Sequence, residues 1–130
     1  VLAQNYRRHP AFGLMVSELA EGAGPRGMVG GQTLDLIAEG RVPGPAPTTV
    51  AELEAIHTRK TGALIQAAAA LGMYAAAGVE DWLPTDPGSR YAAALGLLFQ
   101  VTDDLLDVAS TEAATGKRVG KDAGRGKLTY

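Results

Sequence analysis

Asp103, Asp104 and Asp107 stand in the apolar stretch Phe99-Gln100-Val101-Thr102-Asp103-Asp104-Leu105-Leu106-Asp107, which holds no basic residue to pair them. On a helix, Asp107 lies about 40°, Gln100 about 60° and Asp104 about 100° from Asp103, so the four share one face and leave Leu97, Val101 and Leu105 to pack. Like charges one turn apart repel by roughly a few tenths of a kcal/mol on an exposed helix, and by more where the face is partly buried. A divalent cation removes that repulsion. Three carboxylates and an amide, with no Cys and no nearby His, offer only hard oxygen donors, which favours Mg²⁺ or Mn²⁺ over Zn²⁺. Magnesium keeps several waters and takes one or two carboxylates, with substrate phosphates completing its shell, so a diphosphate ligand is implied. The plain alternative is a solvated acidic helix face.

Three further segments bear on that choice. Gly116-Lys117-Arg118-Val119-Gly120-Lys121-Asp122-Ala123-Gly124-Arg125-Gly126-Lys127 follows the acidic helix and carries five cations in eleven residues from Lys117. Its glycines allow close backbone approach and its flexible ammonium groups can cover phosphate oxygens, so a loop that closes over an anion is expected from Thr111 to Arg125, the plain alternative for the segment by itself being a flexible, solvated linker. Arg59-Lys60-Thr61-Gly62 places a lysine where a charged segment passes into an uncharged run of nineteen residues, Thr61 to Val79. Gln66, three glycines and many alanines make that run a poor membrane span, and it reads as a buried core helix. Lys60 is then either a snorkelling surface residue or the anion-binding group of an apolar pocket. Lastly, Gly27-Met28-Val29-Gly30-Gly31-Gln32-Thr33-Leu34-Asp35-Leu36 sets glycines inside a helical pattern, where each costs roughly 1 kcal/mol relative to alanine. Such a helix lets another helix or a ligand come close, and Gln32 and Asp35 project from one side of it.

Taken in order, Gly30-Gly31-Gln32 with Asp35, Lys60-Thr61-Gly62, Phe99-Gln100 with Asp103, Asp104 and Asp107, and Gly116-Lys117 with Gly120, Asp122, Lys127, Thr129 and Tyr130 resemble the motif set of the trans-polyprenyl diphosphate synthases. These are the short-chain prenyltransferases that make farnesyl and geranylgeranyl diphosphate. The likeness runs from about Phe12 to Tyr130. It implies an all-α chain, the C-terminal part of an isoprenoid-synthase helical bundle. It implies that Asp103, Asp104 and Asp107 hold Mg²⁺ bridging to an allylic diphosphate. Lys60 would hold that diphosphate and, with Thr61, stabilise the allylic cation; Lys117 and Lys127 would be further diphosphate ligands. Gln100 would stand beside the reaction centre, with Gln32, Asp35 and Phe99 lining the substrate pocket. The partners implied are an allylic prenyl diphosphate, isopentenyl diphosphate and a second copy of the chain.

The family also has a first aspartate-rich motif and upstream basic residues for isopentenyl diphosphate, and neither is found in these 130 residues. Residues 1–130 are therefore expected to be a single helical fragment of a larger enzyme, inactive alone. Two other readings use the same scaffold: a noncatalytic helical subunit and a helical terpene cyclase. The intact carboxylates and Lys60 favour the enzyme over the first. Gly30-Gly31-Gln32 and Lys60-Thr61 favour a prenyltransferase over the second.

The elements that must position these residues are helices. Apolar residues at helical spacing predict segments near Ala11 to Glu21, Gly27 to Glu39, Thr49 to Arg59, Thr61 to Gly78 and Ser89 to Ala109, and no strand. Thr49-Val50-Ala51-Glu52 is a capping box, and the alanines from Ala67 to Ala70 read as close helix packing. Breaks are expected at Gly40 to Pro47 and Pro84 to Gly88. With 46% hydrophobic residues a packed core is expected, and a net charge of −2 with few aromatics argues against nucleic-acid binding. The absence of cysteine excludes a disulfide framework and suits a reducing cytoplasm. His9 and His57 lack a metal-ligand partner in sequence and read as surface or core-edge residues; Trp82 reads as a loop anchor.

Overall fold

The computed structural model describes residues 1–77 and 87–109, with side chains for 1–76 and 87–106. The described residues form helices and no strand. In order they are α1 (Leu2–Asn5), α2 (Phe12–Ala23), α3 (Met28–Ala38), α4 (Val50–His57), a π-helical turn (Thr58–Gly62), α5 (Ala63–Ala77) and α6 (Pro87–Ala109). The five longer helices match the expected segments to within two residues at every end. The four-residue α1 was not anticipated. Trp82, Lys117, Lys127 and the basic loop lie outside the described residues.

Local chemistry accounts for the ends. Glu52 N–H donates to Thr49 Oγ1 at 3.2 Å while Glu52 Oε2 accepts from Thr49 N–H at 3.1 Å, so the capping box that starts α4 is fully formed. Thr48 N–H also donates to Glu52 Oε2, at 2.7 Å, and this bond leads the causes that hold the Glu52 carboxyl below its ordinary range. Helix α3 ends in a Schellman motif: Gly40 N–H donates to Ile37 O and Arg41 N–H to Leu36 O, both at 2.9 Å. Gly40 has φ +68°, a conformation that favours glycine, which is why the expected break begins there. Helix α6 starts at Pro87, two residues earlier than an open break through Gly88 allows, because proline's fixed φ suits a first helical turn.

The apolar core lies between α2 and α5. Ala11, Met15, Ala70 and Tyr74 are buried together, with Leu2, Leu71 and Ala75 packed on them. Ala67, Ala70 and Tyr74 fall on one stripe of α5, whereas Ala68, Gly72 and Met73 are exposed, so α5 is a one-faced helix and not one buried all round. A Cβ on Gly22 of α2 would stand 2.8 Å from the Ala67 Cβ and 3.0 Å from the Ala63 carbonyl oxygen, which is the close packing expected of the alanine run. No described helix is long and apolar enough to cross a membrane.

The junction near residue 60 departs from the expectation of two separate helices. α4 runs into α5 through the π turn, as one rod with a locally widened helix. A search at 3.6 residues per turn reads the extra residue as a break, because the apolar phase shifts there.

Candidate active site

Lys60 lies in the π turn, a feature frequent at functional sites. Glycines bring two helices onto that turn. A Cβ at Gly31 of α3 would be 2.2 Å from the Lys60 amide nitrogen and 2.6 Å from its Cα, so only glycine allows α3 to lie backbone against backbone on the turn. A Cβ at Gly96 of α6 would be 2.7 Å from the Cα of Gly62. Gly31 thus lets another helix approach, one of the two roles expected for these glycines, whereas Gly30 lies against the Pro25 carbonyl oxygen just before α3.

One turn after Gly31, Asp35 is 2% exposed and accepts a hydrogen bond from Lys60 Nζ at 2.5 Å. Charge-assisted bonds of this kind are short and strong. Asp35 therefore meets the lysine of the turn, while Gln32, three residues earlier, is half-buried beside it. The Lys60 side chain keeps 30% of its surface exposed, so its ammonium is anchored yet reachable. It is neither a free snorkelling residue nor an unbalanced cation. Thr61, next to it, is half-buried.

The acidic helix divides where one shared face was expected. The buried stripe of α6 is Ser89, Ala92, Gly96, Gln100 and Asp104, at spacings of three and four. Gln100 is 6% and Asp104 8% exposed, whereas Asp103 is exposed, and so is Phe99 at 58%. Leu97 and Val101 are half-buried, but Leu105 is 54% exposed and does not pack as expected. The sector from Asp103 to Asp104 spans about 100°, wide enough for its two edges to fall on opposite sides of the burial boundary. The side chain of Asp107 lies outside the described residues.

His57 corrects the reading of an acidic face without a basic neighbour. The last residue of α4 is 3% exposed, and its Nε2 stands 4.0 Å from Asp104 Oδ2. The sequence offered no signal for this pairing across 47 positions beyond the presence of a histidine beside Lys60. His9 is an ordinary structural residue: its Nδ1 accepts from the Ala11 N–H at 3.2 Å and its ring meets Tyr6 edge-on.

A family model for polyprenyl synthetase matches residues 8–130, spanning the π turn, the acidic helix and the basic segment alike. The chain belongs to the polyprenyl synthetase family. The chain is 50% identical over 117 residues to the farnesyl diphosphate synthase of Escherichia coli K12, covering 89% of this chain and 37% of that protein. It is 44% identical over 115 residues to geranylgeranyl pyrophosphate synthase 11, chloroplastic, of Arabidopsis thaliana, covering 88% of this chain and 31% of that one. The crystal structure of a Helicobacter pylori geranyltransferase complexed with magnesium and isoprenyl diphosphate superposes with a TM-score of 0.72 at 29% identity, over 92% of this chain and 37% of that one. The chain thus spans about a third of the length of the curated relatives it matches, and its described residues share the all-α fold of the Helicobacter pylori structure.

Among the described residues no three His, Asp or Glu side chains converge as a ready metal cage. The donor chemistry fits magnesium nonetheless. Asp103 presents an exposed hard-oxygen carboxylate one turn from Asp107, and magnesium takes only one or two carboxylates from a protein.

Proposed function

We propose that these residues belong to a prenyltransferase and form the part that grips the diphosphate of an allylic substrate for condensation with isopentenyl diphosphate. The observation that carries this reading is Lys60, half-exposed in a π turn and anchored by buried Asp35, on a chain of the polyprenyl synthetase family. A reachable ammonium held by a fixed counter-ion is preorganised for an anion, so little reorganisation is needed as leaving-group charge develops.

In the proposed reaction the allylic C–O bond breaks and its electron pair departs with the diphosphate. The isopentenyl double bond then attacks the allylic carbon, and loss of a proton from the adduct restores neutrality. Lys60 neutralises part of the leaving charge, with Lys117 and Lys127 as further diphosphate ligands. Thr61 and Gln100 stand by the developing cation, and Gln32, Asp35 and Phe99 border the pocket. Asp103 and Asp107 would hold Mg²⁺ with Asp104 behind them, and the ion would supply Lewis-acid neutralisation of the diphosphate. Farnesyl or geranylgeranyl diphosphate is the product class, on the likeness to enzymes of both names. A homodimer is part of the same proposal. So is a cytoplasmic location, supported by the bacterial relatives, although the Arabidopsis relatives are chloroplastic.

The test is Asp103→Ala in the enzyme that carries these residues, with steady-state incorporation of labelled isopentenyl diphosphate. Turnover should fall by at least about 100-fold, the scale of losing one charge-stabilising group. Near wild-type rates at saturating Mg²⁺ would reject the assignment.

A further inference from the structure

Two buried polar side chains on α6 and α4 are used by none of the steps above except as background: His57, and Asp104 where it faces inward. Their place is specific. His57 is the residue before the π turn that carries Lys60, and Asp104 is the neighbour of exposed Asp103. The side chains are 3% and 11% exposed and approach to 4.0 Å. Beside them α6 already touches the turn through Gly96 against Gly62. That glycine contact fixes how close the two elements come, and α6 also packs along α5, but non-directional packing of this kind constrains the rotation of α6 about its own axis less sharply than a polar contact does. A rotation would carry Asp103 toward or away from the turn.

Hydrophobic residues of similar volume would fill this space at equal or better stability, because taking two polar groups out of water carries a desolvation cost. What a buried polar pair adds is directionality, which apolar packing lacks. We propose that His57 is a positioning residue. By engaging Asp104 from the edge of the π turn, it sets the rotation of the acidic helix and thereby the placement of the Asp103 carboxylate relative to Lys60. The role deepens the diphosphate-binding reading above and rests on it for the purpose of Asp103. It is the relation that orienting partners bear to metal ligands elsewhere, where their loss weakens metal affinity by about 10–100-fold.

His57→Leu and His57→Gln, made in the enzyme that carries these residues, separate this from simple space-filling. Glutamine returns an amide nitrogen near the position of Nε2, while leucine fills the volume without a polar atom. Two measurements are needed: amide hydrogen exchange of the metal-free protein, and the affinity for Mn²⁺ with inorganic diphosphate read by electron paramagnetic resonance. In His57→Leu, exchange from Gln100 to Asp104 should quicken by about tenfold or more while α2 and α5 stay protected, and Mn²⁺ affinity should drop by about tenfold. His57→Gln should lie within about threefold of wild type in both. Unchanged exchange in His57→Leu overturns the proposal whatever the affinity does. Equal losses in both variants also overturn it, because the ring would then be only a filler. If wild type binds no Mn²⁺ with diphosphate while the exchange pattern is as expected, the diphosphate reading of Asp103 falls and the hold of His57 on the acidic helix stands.

Discussion

The contact between α2 and α5 and the junction of α3, α4 and α6 at the π turn solve opposite problems with the same helical material. In the first, Ala11, Met15, Ala70 and Tyr74 are buried together and Gly22 lies against Ala67. In the second, the buried side chains include Asp35, His57, Gln100 and Asp104. The difference is clearest on α6, whose inward stripe is small or polar while Leu95, Leu98, Phe99, Leu105 and Leu106 are exposed. Apolar burial is non-directional and supplies stability. Buried polar contacts carry a desolvation cost but fix angles and charges, which chemistry on a diphosphate requires. One region makes the fold stable; the other uses that stability to hold a site.

The largest test of this contrast is at the Lys60–Asp35 pair. Lys60→Met should destabilise the protein by about 3–5 kcal/mol, since it leaves the Asp35 carboxylate buried without its ammonium. Adding Asp35→Leu should recover most of the loss in denaturant melts while leaving diphosphate binding absent. If the double variant stays as unstable as the single one, the pair belongs to the stability-supplying region after all. In the apolar region Met15→Ala should cost about 2–5 kcal/mol by cavity formation, with diphosphate affinity per folded molecule unchanged. A matched loss of affinity would erase the distinction.

The smallest effect sharpens a boundary case, the exposed cap of α4. Thr49→Ala should cost about 1 kcal/mol, the usual value of an N-cap. Its partner Glu52 adds a pH dependence. Hydrogen bonds from Thr48 and Thr49 hold the Glu52 carboxyl below the ordinary glutamate range in the folded protein. Its contribution is therefore present above the ordinary glutamate pKa and is lost as pH falls through the lower folded value. Melts of wild type and Glu52→Gln should converge below that range and separate above it. A constant gap across pH would show that the charge of Glu52 does not matter to the cap.

Much of the helical layout could be read directly from residue order. The periodicity of α2, α3 and α6, the capping box at Thr49 and the glycine end of α3 are local features, and local hydrogen bonds decide them. Donor chemistry was also legible, since three aspartates near a lysine and glycines imply hard cations and phosphates wherever the chain places them. The π turn was not, because one added residue in a continuous rod has the periodic signature of a break.

What only tertiary structure decided is which charged groups meet. Asp35 and Lys60 are 25 positions apart and His57 and Asp104 are 47, so no helical spacing connects either pair. The same holds for which side of α6 turns inward. Its leucines would be chosen as the buried face by hydrophobicity alone, yet Gly96 allows the closer approach and draws Gln100 and Asp104 in beside it. Residue types determine what chemistry is available; the sub-van der Waals limits on backbone approach at Gly31 and Gly96 determine where it is brought together.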